Sequence, residues 1–198
     1  MTARAPAPAG PPGARRPVVL IGPMAAGKSF LARHMAELYG YGFVDADQLI
    51  VSRHGPIPAI FAEHGERHFR ELEADTVAEV LRDPGHAGAV FSVGGGAPAT
   101  PSVRELLRHE LVAYLRVDAP TVLPRIRGNR VRPMLQPDPE RRWVELLESR
   151  RACYEELADI VLDGTGDRPV AELAADLDAQ ITRRRAAPAP GRPRGARA

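Results

Sequence analysis

The stretch GPMAAGKS, Gly22 to Ser29, decides how the rest of this sequence is interpreted. It follows the apolar run VVLI at 18–21, precedes a helix-like pattern, and fits the spacing G-x-x-x-x-G-K-[ST]. In such a loop, backbone N–H groups cradle phosphate oxygens, the lysine reaches the β- and γ-phosphates, and the hydroxyl binds Mg²⁺. Lys28 is the only lysine among 27 basic residues. Because a planar guanidinium does not imitate a compact ammonium group, this exception favours a phosphate-binding loop.

The composition is that of a globular protein with two unusual ends. The chain has 198 residues, of which 44% are hydrophobic and 26% charged, enough for one domain with a proper core. Residues 1–16 and 184–198 are rich in Pro, Ala, Gly and Arg, which predicts disordered tails around a folded domain at 17–183. The formal net charge is only +2, and much of the arginine excess lies in the tails. We therefore expect no nucleic-acid partner.

The predicted location is the cytoplasm. No apolar run approaches the roughly 20 residues that cross a bilayer, and the N-terminal stretch lacks the apolar segment of a secretory signal. A single cysteine, Cys153, excludes an internal disulfide framework, and the six histidines show no metal-ligand spacing. We expect a monomer that acts on a small molecule and does not bind membranes.

Short apolar runs alternate with amphipathic helical patterns along the domain. Strands are predicted near 18–21, 42–45, 89–93, 111–117 and 159–163. Helices are predicted near 28–39, 46–53, 57–63, 66–82, 102–109, 119–127, 140–157 and 169–183. This alternation predicts an α/β fold in which helices cover both faces of a parallel sheet. The segment 128–140, GNRVRPMLQPDPE, has neither period and carries three prolines, which is typical of a functional lid.

Two carboxylates, Asp45 and Asp47, follow the second predicted strand in FVDAD. Ligands of open parallel sheets bind beyond the carboxyl ends of the strands, so both should lie near the terminal phosphate. One can hold Mg²⁺, while the other can orient an acceptor hydroxyl and take its proton. Alternatively, Asp47 only caps a helix that begins at Gln48, since aspartate is a favoured N-cap.

Further candidates lie in GERHFRELE, in SVGGGA and around the predicted lid. Phe69 belongs to the apolar stripe of its helix, whereas Arg70 lies off that stripe and is either a ligand or a solvated arginine. Three glycines at a strand end, 94–96, favour close approach of the backbone to a ligand. Arginines in a mobile cover can stabilise charge on a transferring phosphoryl group, although each can equally be a surface residue. The arginines of the predicted lid are Arg125, Arg130 and Arg132, and Arg150 and Arg151 on the next helix have the same two interpretations.

Together these motifs resemble the shikimate kinases, small P-loop enzymes that transfer the γ-phosphoryl of ATP to the 3-hydroxyl of shikimate. The likeness covers about 17–181, and GERHFRELE, which is similar to the family element G-E-x-x-F-R-x-x-E, is its most specific part. GPMAAGKS resembles the Walker loop, DADQ the D-x-D pair, GGGA the glycine triplet, NRVRPML the lid and RRACYEELADIVLD the C-terminal passage. The resemblance implies a three-layer α/β/α P-loop kinase fold, strand order 2-3-1-4-5 and a lid at about 125–140.

The resemblance also implies ATP and Mg²⁺ as cofactors. Lys28 and Ser29 would bind the phosphates and the ion, Asp45 would assist at the metal, and Arg125 would lie against adenine. Arg132 would reach the phosphates from the lid. The implied nucleotide-binding residues are Gly22, Ala25, Ala26, Gly27, Lys28, Ser29, Phe30, Arg125 and Arg132.

For the acceptor, the resemblance implies that Asp47 binds shikimate hydroxyls and acts as the base. Lys28, Asp47 and Arg132 are then the catalytic residues. Arg70 and Arg150 would bind the substrate carboxylate, a group that suits bidentate guanidinium contacts. The glycines Gly94, Gly95 and Gly96 would line that pocket.

Three departures from the family pattern leave alternatives open. Ala25 replaces a frequent glycine, Phe30 stands where a second small hydroxyl residue is common, and Ala-Cys-Tyr at 152–154 replaces Pro-Leu-Tyr. They leave room for a kinase of a different small hydroxylated acid or carbacycle, gluconokinase-like or shikimate-like. From other classes, a nucleic-acid binder that uses the arginine tails and a nucleotide sensor without catalysis are the competing hypotheses. A nucleoside monophosphate kinase has weaker support, because it needs a phosphate-binding acceptor site.

Overall fold

A five-stranded parallel sheet forms the centre of the fold in the computed structural model, which describes residues 16–127, 133–166 and 168–186. Its neighbouring strands follow the order β2-β3-β1-β4-β5, which confirms the order 2-3-1-4-5. All four pairings are parallel. The strands are β1 (Val18–Ile21), β2 (Phe43–Asp45), β3 (Val90–Ser92), β4 (Leu111–Arg116) and β5 (Ile160–Asp163).

Helices surround the sheet, with α1 packed against α7 and α3 against α4. Their bounds are α1 (Lys28–Tyr39), α2 (Ala46–His54), α3 (Ile57–Arg82), α4 (Pro101–Leu107), α5 (Ala119–Ile126), α6 (Pro139–Leu157) and α7 (Val170–Ala186). Short 3₁₀ turns cover Pro84–His86, Ala97–Ala99 and Pro133–Leu135. Within the described part of the chain, none of these helices has the length and apolar character needed to span a membrane.

Beyond small shifts at the ends of elements, two differences from the sequence prediction stand out: a kink within α3 and a later end of α7. Gly65 has φ 79° and ψ 174°, so α3 is kinked where two helices, 57–63 and 66–82, were predicted to separate. Glycine adopts this positive φ without a side-chain clash, and the ladder of helical hydrogen bonds is interrupted there. The last helix continues to Ala186, three residues past the predicted end at 183, and these residues were assigned to the tail.

Burial of the sheet explains why its central strands are apolar runs, whereas the edge strand β5 alternates buried and exposed residues. All four residues of β1 have no exposed surface, as expected for a parallel strand covered on both faces. The register pairs Leu20 of β1 with Ser92, and Asp45 of β2 with the same Ser92 of β3. The carboxyl ends of three neighbouring strands therefore meet at one edge of the sheet, directly before the loop that follows β1.

Candidate active site

The loop 22–29 joins β1 to α1, and its backbone conformation makes it concave. Gly22 has φ 140°, and a Cβ atom there would lie 2.6 Å from the Leu115 carbonyl oxygen, so only glycine fits. Gly27 has φ 103° at the N-cap of α1. Ala25 has φ 61°, and among the described residues it is the one non-glycine with positive φ. Residues with positive φ at 22, 25 and 27 turn the loop, a conformation that suits an anion-binding nest of backbone N–H groups before the positive end of α1.

Lys28, the first residue of α1, is only 8% exposed, and its charge is held inside this loop. Its Nζ donates hydrogen bonds to the carbonyl oxygens of Gly22 at 2.9 Å and Pro23 at 3.0 Å. The Ser29 hydroxyl lies 3.3 Å from the hydroxyl of Ser92 at the end of β3. A cation and a hydroxyl therefore stand at the mouth of the nest, where a phosphate chain and its metal ion would need them.

Asp45 and Asp47 occupy different positions at the start of α2. The helix begins at Ala46, and its N-cap is Asp45, whose Oδ1 accepts the Gln48 N–H at 3.0 Å. The alternative in which Asp47 caps a helix beginning at Gln48 is therefore wrong. Asp45 is buried, whereas Asp47 is exposed in the first turn, and both line the same cavity. Asp47 thus presents its carboxylate to whatever binds there.

Arg70 on α3 is fixed by two carboxylates of the same helix. Its Nη1 lies 2.6 Å from Glu73 Oε2, and its Nη2 lies 3.2 Å from Glu66 Oε1. The Arg70 side chain is 18% exposed and lines the cavity. The solvated-arginine interpretation of Arg70 is therefore wrong.

The three glycines after β3 pack against the other parts of the site, and each would clash if it carried a side chain. A Cβ at Gly94 would strike Glu73 and approach Asp47 Oδ1, and one at Gly96 would strike the Arg70 guanidinium. A Cβ at Gly95 would lie 2.9 Å from the backbone nitrogen of Met24 in the phosphate loop. The triplet is thus the point at which the carboxylates, the arginine and the phosphate loop come together.

Glu73 is a site residue that the sequence reasoning missed. It has no exposed surface, and among the described residues no group donates a hydrogen bond to its Oε1. Burial raises the pKa of Glu73, and the nearby Asp47 raises it further, while Arg70 and Arg150 act in the opposite direction. A signal was available, because Glu73 interrupts the buried stripe of Phe69 and Val77 at a spacing of four residues.

The remaining arginines separate into cavity and surface residues. Arg150 on α6 is partly buried and lines the cavity, whereas the exposed Arg151 pairs with Glu148 at 2.5 Å on the surface. Arg125 is exposed at the rim of the phosphate loop, with its Nη1 3.4 Å from the Ala26 carbonyl oxygen. Arg130 and Arg132 lie outside the described residues.

One cavity of about 670 Å³ brings these residues together. Of the site residues predicted from the sequence, it is lined by Ala25, Gly27, Lys28, Ser29, Phe30, Asp45, Asp47, Arg70, Gly94, Gly95, Gly96, Arg125 and Arg150. Gly22 and Ala26 belong to the same loop but do not line it. The residues predicted to bind phosphates and those predicted to bind the acceptor therefore face one space.

The donor groups fit a nucleotide with Mg²⁺. Magnesium prefers oxygen ligands and keeps several waters and phosphate oxygens, so it needs few protein ligands. Ser29 and Asp45 supply a hydroxyl and a carboxylate beside the phosphate loop. No group of three His, Cys, Asp or Glu side chains that could hold a metal ion occurs within 16–127, 133–166 and 168–186. An ion here would depend on the nucleotide for most of its ligands.

Five parallel strands in this order, with a phosphate loop after the first, define the class of P-loop kinases. The family model described as shikimate kinase matches residues 24–183. The chain therefore belongs to the shikimate kinase family, whose members are ATP-dependent phosphotransferases acting on an alcohol.

Individual relatives agree with this assignment. The chain is 39% identical to a shikimate kinase of Streptomyces coelicolor over 163 residues, covering 82% of this chain and 94% of the relative. It is 43% identical to a shikimate kinase of Halorhodospira halophila over 154 residues, which cover 76% of this chain and 85% of the relative. A solved structure of shikimate kinase from Acinetobacter baumannii in complex with shikimate superimposes with a TM-score of 0.81 at 32% identity, covering 87% of this chain and 96% of that one.

Proposed function

We propose that this protein is a shikimate kinase, which transfers the γ-phosphoryl group of ATP to the 3-hydroxyl of shikimate and yields shikimate 3-phosphate and ADP. The observation that carries the proposal is the shared cavity, in which Lys28 and Asp47 face the same space as Arg70 and Arg150. Two guanidinium groups suit an acceptor that carries a carboxylate. The relative from Acinetobacter baumannii, whose structure is a complex with shikimate, supports this acceptor.

The phosphate loop would hold the nucleotide. Its concave backbone and the N-terminus of α1 receive the phosphates, and Lys28 moves its ammonium group from the loop carbonyls to the β- and γ-phosphates. Ser29 and Asp45 would hold Mg²⁺, which neutralises charge on the phosphates when bound. Arg125 would cover the adenine from the rim of the loop.

The acceptor would be oriented at the glycine triplet. Arg70 and Arg150 bind the carboxylate, while Asp47 accepts a hydrogen bond from the 3-hydroxyl and takes its proton. A bond forms between the acceptor oxygen and the γ-phosphorus as the bond from that phosphorus to the ADP oxygen breaks. Glu73 keeps the Arg70 guanidinium in place during the reaction.

The lid would complete the site. Pro133 and Met134 line the cavity just after the segment that carries Arg132. We propose that Arg132 contacts the phosphates when this segment covers them, and that closure excludes water from the transferring group. The product then serves chorismate and aromatic amino-acid biosynthesis in the cytoplasm, with the protein acting as a monomer.

A substrate panel tests the proposal. ADP release is measured with ATP and Mg²⁺ in the presence of shikimate, gluconate, a shikimate-like carbacycle without the carboxylate, or no acceptor. We expect turnover above background with shikimate and a phosphate ester at its 3-position in the ³¹P NMR spectrum. Turnover with gluconate but not shikimate would support the gluconokinase-like alternative and reject the proposal.

A further inference from the structure

Helix α6 donates hydrogen bonds from two buried side chains to the backbones of two different loops. The Trp143 Nε1–H donates to the Met24 carbonyl oxygen in the phosphate loop at 2.8 Å. The Tyr154 hydroxyl donates to the Gly95 carbonyl oxygen in the glycine triplet at 2.5 Å. Positions 143 and 154 lie about three turns apart, so both side chains leave the same face of the helix. One rigid element therefore contacts both halves of the cavity.

The Trp143 contact sets the direction of an amide that can bind phosphate. Met24 C=O and Ala25 N–H belong to one peptide group, and in a trans peptide these two bonds point in opposite directions. Among the described residues the one cis peptide is Gln136–Pro137, so the group at 24–25 is trans. Trp143 is buried and does not line the cavity, whereas Met24 and Ala25 do. Because Trp143 holds the carbonyl of this trans peptide, the Ala25 N–H points away from Trp143.

Ala25 needs the hydrogen bond from Trp143 to the preceding carbonyl because the backbone of Ala25 is strained. Ala25 has φ 61°, a region that costs a residue with a Cβ free energy and persists only where the surroundings enforce it. Trp143 is 1% exposed and therefore cannot easily give up its hydrogen bond for one with water.

We propose that Trp143 is a positioning residue, which acts through the Met24–Ala25 peptide to aim the Ala25 amide at a nucleotide phosphate. The inference rests on the proposed function only in taking the ligand of the loop to be a nucleotide. It assigns to α6 a role in nucleotide binding that is separate from the contact of Arg150 with the acceptor. A purely structural role would instead affect both substrates together, because Arg150 lies on the same helix.

The test compares Trp143→Phe with Tyr154→Phe, which removes the hydrogen bond to the glycine triplet together with a side-chain contact to Arg150. The dissociation constant for ADP is measured by calorimetry, and the KM for shikimate by initial rates. We expect Trp143→Phe to weaken ADP binding about threefold to tenfold, the range for one hydrogen bond, with the KM for shikimate unchanged. Tyr154→Phe should leave ADP binding unchanged and raise the KM for shikimate. Equal losses of ADP affinity in both variants would overturn the proposal.

A second substitution separates the loss of the hydrogen bond from the loss of packing that Trp143→Phe also causes. Because the chain has one tryptophan, global replacement of tryptophan by β-(3-benzothienyl)alanine changes this position alone and keeps the ring shape without the N–H donor. We expect the same loss of ADP affinity, and unchanged affinity would contradict the assignment. ADP binding needs no acceptor, so if the wild-type protein does not phosphorylate shikimate, the proposed function fails while this measurement still decides the role of Trp143.

Discussion

Arg70 and Glu73 lie one turn apart on α3 and form an ion pair of 2.6 Å in which the carboxylate has no exposed surface. A buried carboxylate is stable only with a partner, and here the partner is the arginine that lines the cavity. Glu66 contacts the same guanidinium at 3.2 Å from the outside. The orientation of Arg70 is therefore determined before any substrate arrives, which reduces the entropy lost on binding.

Replacing Arg70 with lysine tests this orientation. A single ammonium group cannot reproduce two parallel N–H contacts to a carboxylate while also pairing with Glu73. We expect Arg70→Lys to raise the KM for shikimate by about 10- to 100-fold, the range for a hydrogen bond to a charged group. Arg67→Lys is the matched control, since Arg67 lies on the same helix with a side chain 94% exposed. An unchanged KM in Arg70→Lys would remove Arg70 from the acceptor site.

Glu73→Gln should remove a loss of folding stability that the wild type shows as pH rises. Burial and Asp47 raise the pKa of Glu73 against the effects of Arg70 and Arg150. A carboxyl whose folded pKa exceeds its unfolded value, about 4.3, binds more protons when folded, so stability falls as pH rises through this window. Glutamine does not titrate. The difference in melting temperature between Glu73→Gln and the wild type should therefore shift in favour of Glu73→Gln as pH rises from about 4.3 through the raised pKa. The KM for shikimate should increase, because glutamine holds Arg70 less firmly.

Glu79, on the same helix, provides a control in which the pKa shift has the opposite sign. Arg53 lowers the pKa of Glu79 by a hydrogen bond. This carboxylate contributes stability above its unfolded pKa, and the contribution is lost as pH falls through the folded value. The melting temperature of Glu79→Gln should therefore fall relative to the wild type as pH rises, by a small amount because the pair is exposed. A pH-independent difference for Glu73→Gln in calorimetric scans would contradict a raised pKa.

The features that the sequence predicted correctly are those that depend on neighbouring residues. Apolar runs give the five strands, and the central strands of a parallel sheet are buried on both faces. The edge strand β5 instead alternates buried and exposed residues. Gly65 marks the junction of two predicted helical patterns, and its φ of 79° produces the kink at that point in α3. The phosphate loop is recognisable because its glycines and Lys28 act within eight consecutive residues.

The features that escaped prediction depend on tertiary contacts. Asp45 and Asp47 both follow β2 in the sequence, and only the fold shows that α2 begins at Ala46, with Asp45 as its N-cap. Glu73 is polar by type, and only its position against the glycine triplet makes it a partner of Arg70. The bond from Trp143 to Met24 joins residues 119 positions apart, which no local pattern encodes.

Lys28→Arg and Lys28→Met test why a chain rich in arginine keeps one lysine. The ammonium group fits between two loop carbonyls at 2.9 and 3.0 Å, a space for a compact donor. A guanidinium keeps the charge but is wider and planar, so we expect both variants to lose turnover by about 10²- to 10³-fold or more. ADP release with saturating ATP and shikimate measures the loss, and circular dichroism checks that the fold is retained. Activity near the wild-type level in Lys28→Arg would show that charge alone suffices.

Two chemically identical substitutions at adjacent loop positions should change stability in opposite directions. Ala25 has φ 61°, which costs a residue with a Cβ about 1–2 kcal/mol, whereas Ala26 does not have a positive φ. Ala25→Gly removes this cost but gives the unfolded chain extra entropy of about 0.4–1 kcal/mol, so the net gain should be up to about 1.5 kcal/mol.

Ala26→Gly, the control, relieves no strain and removes the methyl group of a residue that is only 5% exposed. Its free energy of unfolding should fall by about 1 kcal/mol from the backbone entropy and the lost burial. Urea unfolding of both variants measures the two differences under the same conditions. If Ala25→Gly destabilises the protein as much as Ala26→Gly, the strain at Ala25 does not exist, and the conformation of the phosphate loop must differ from the one described.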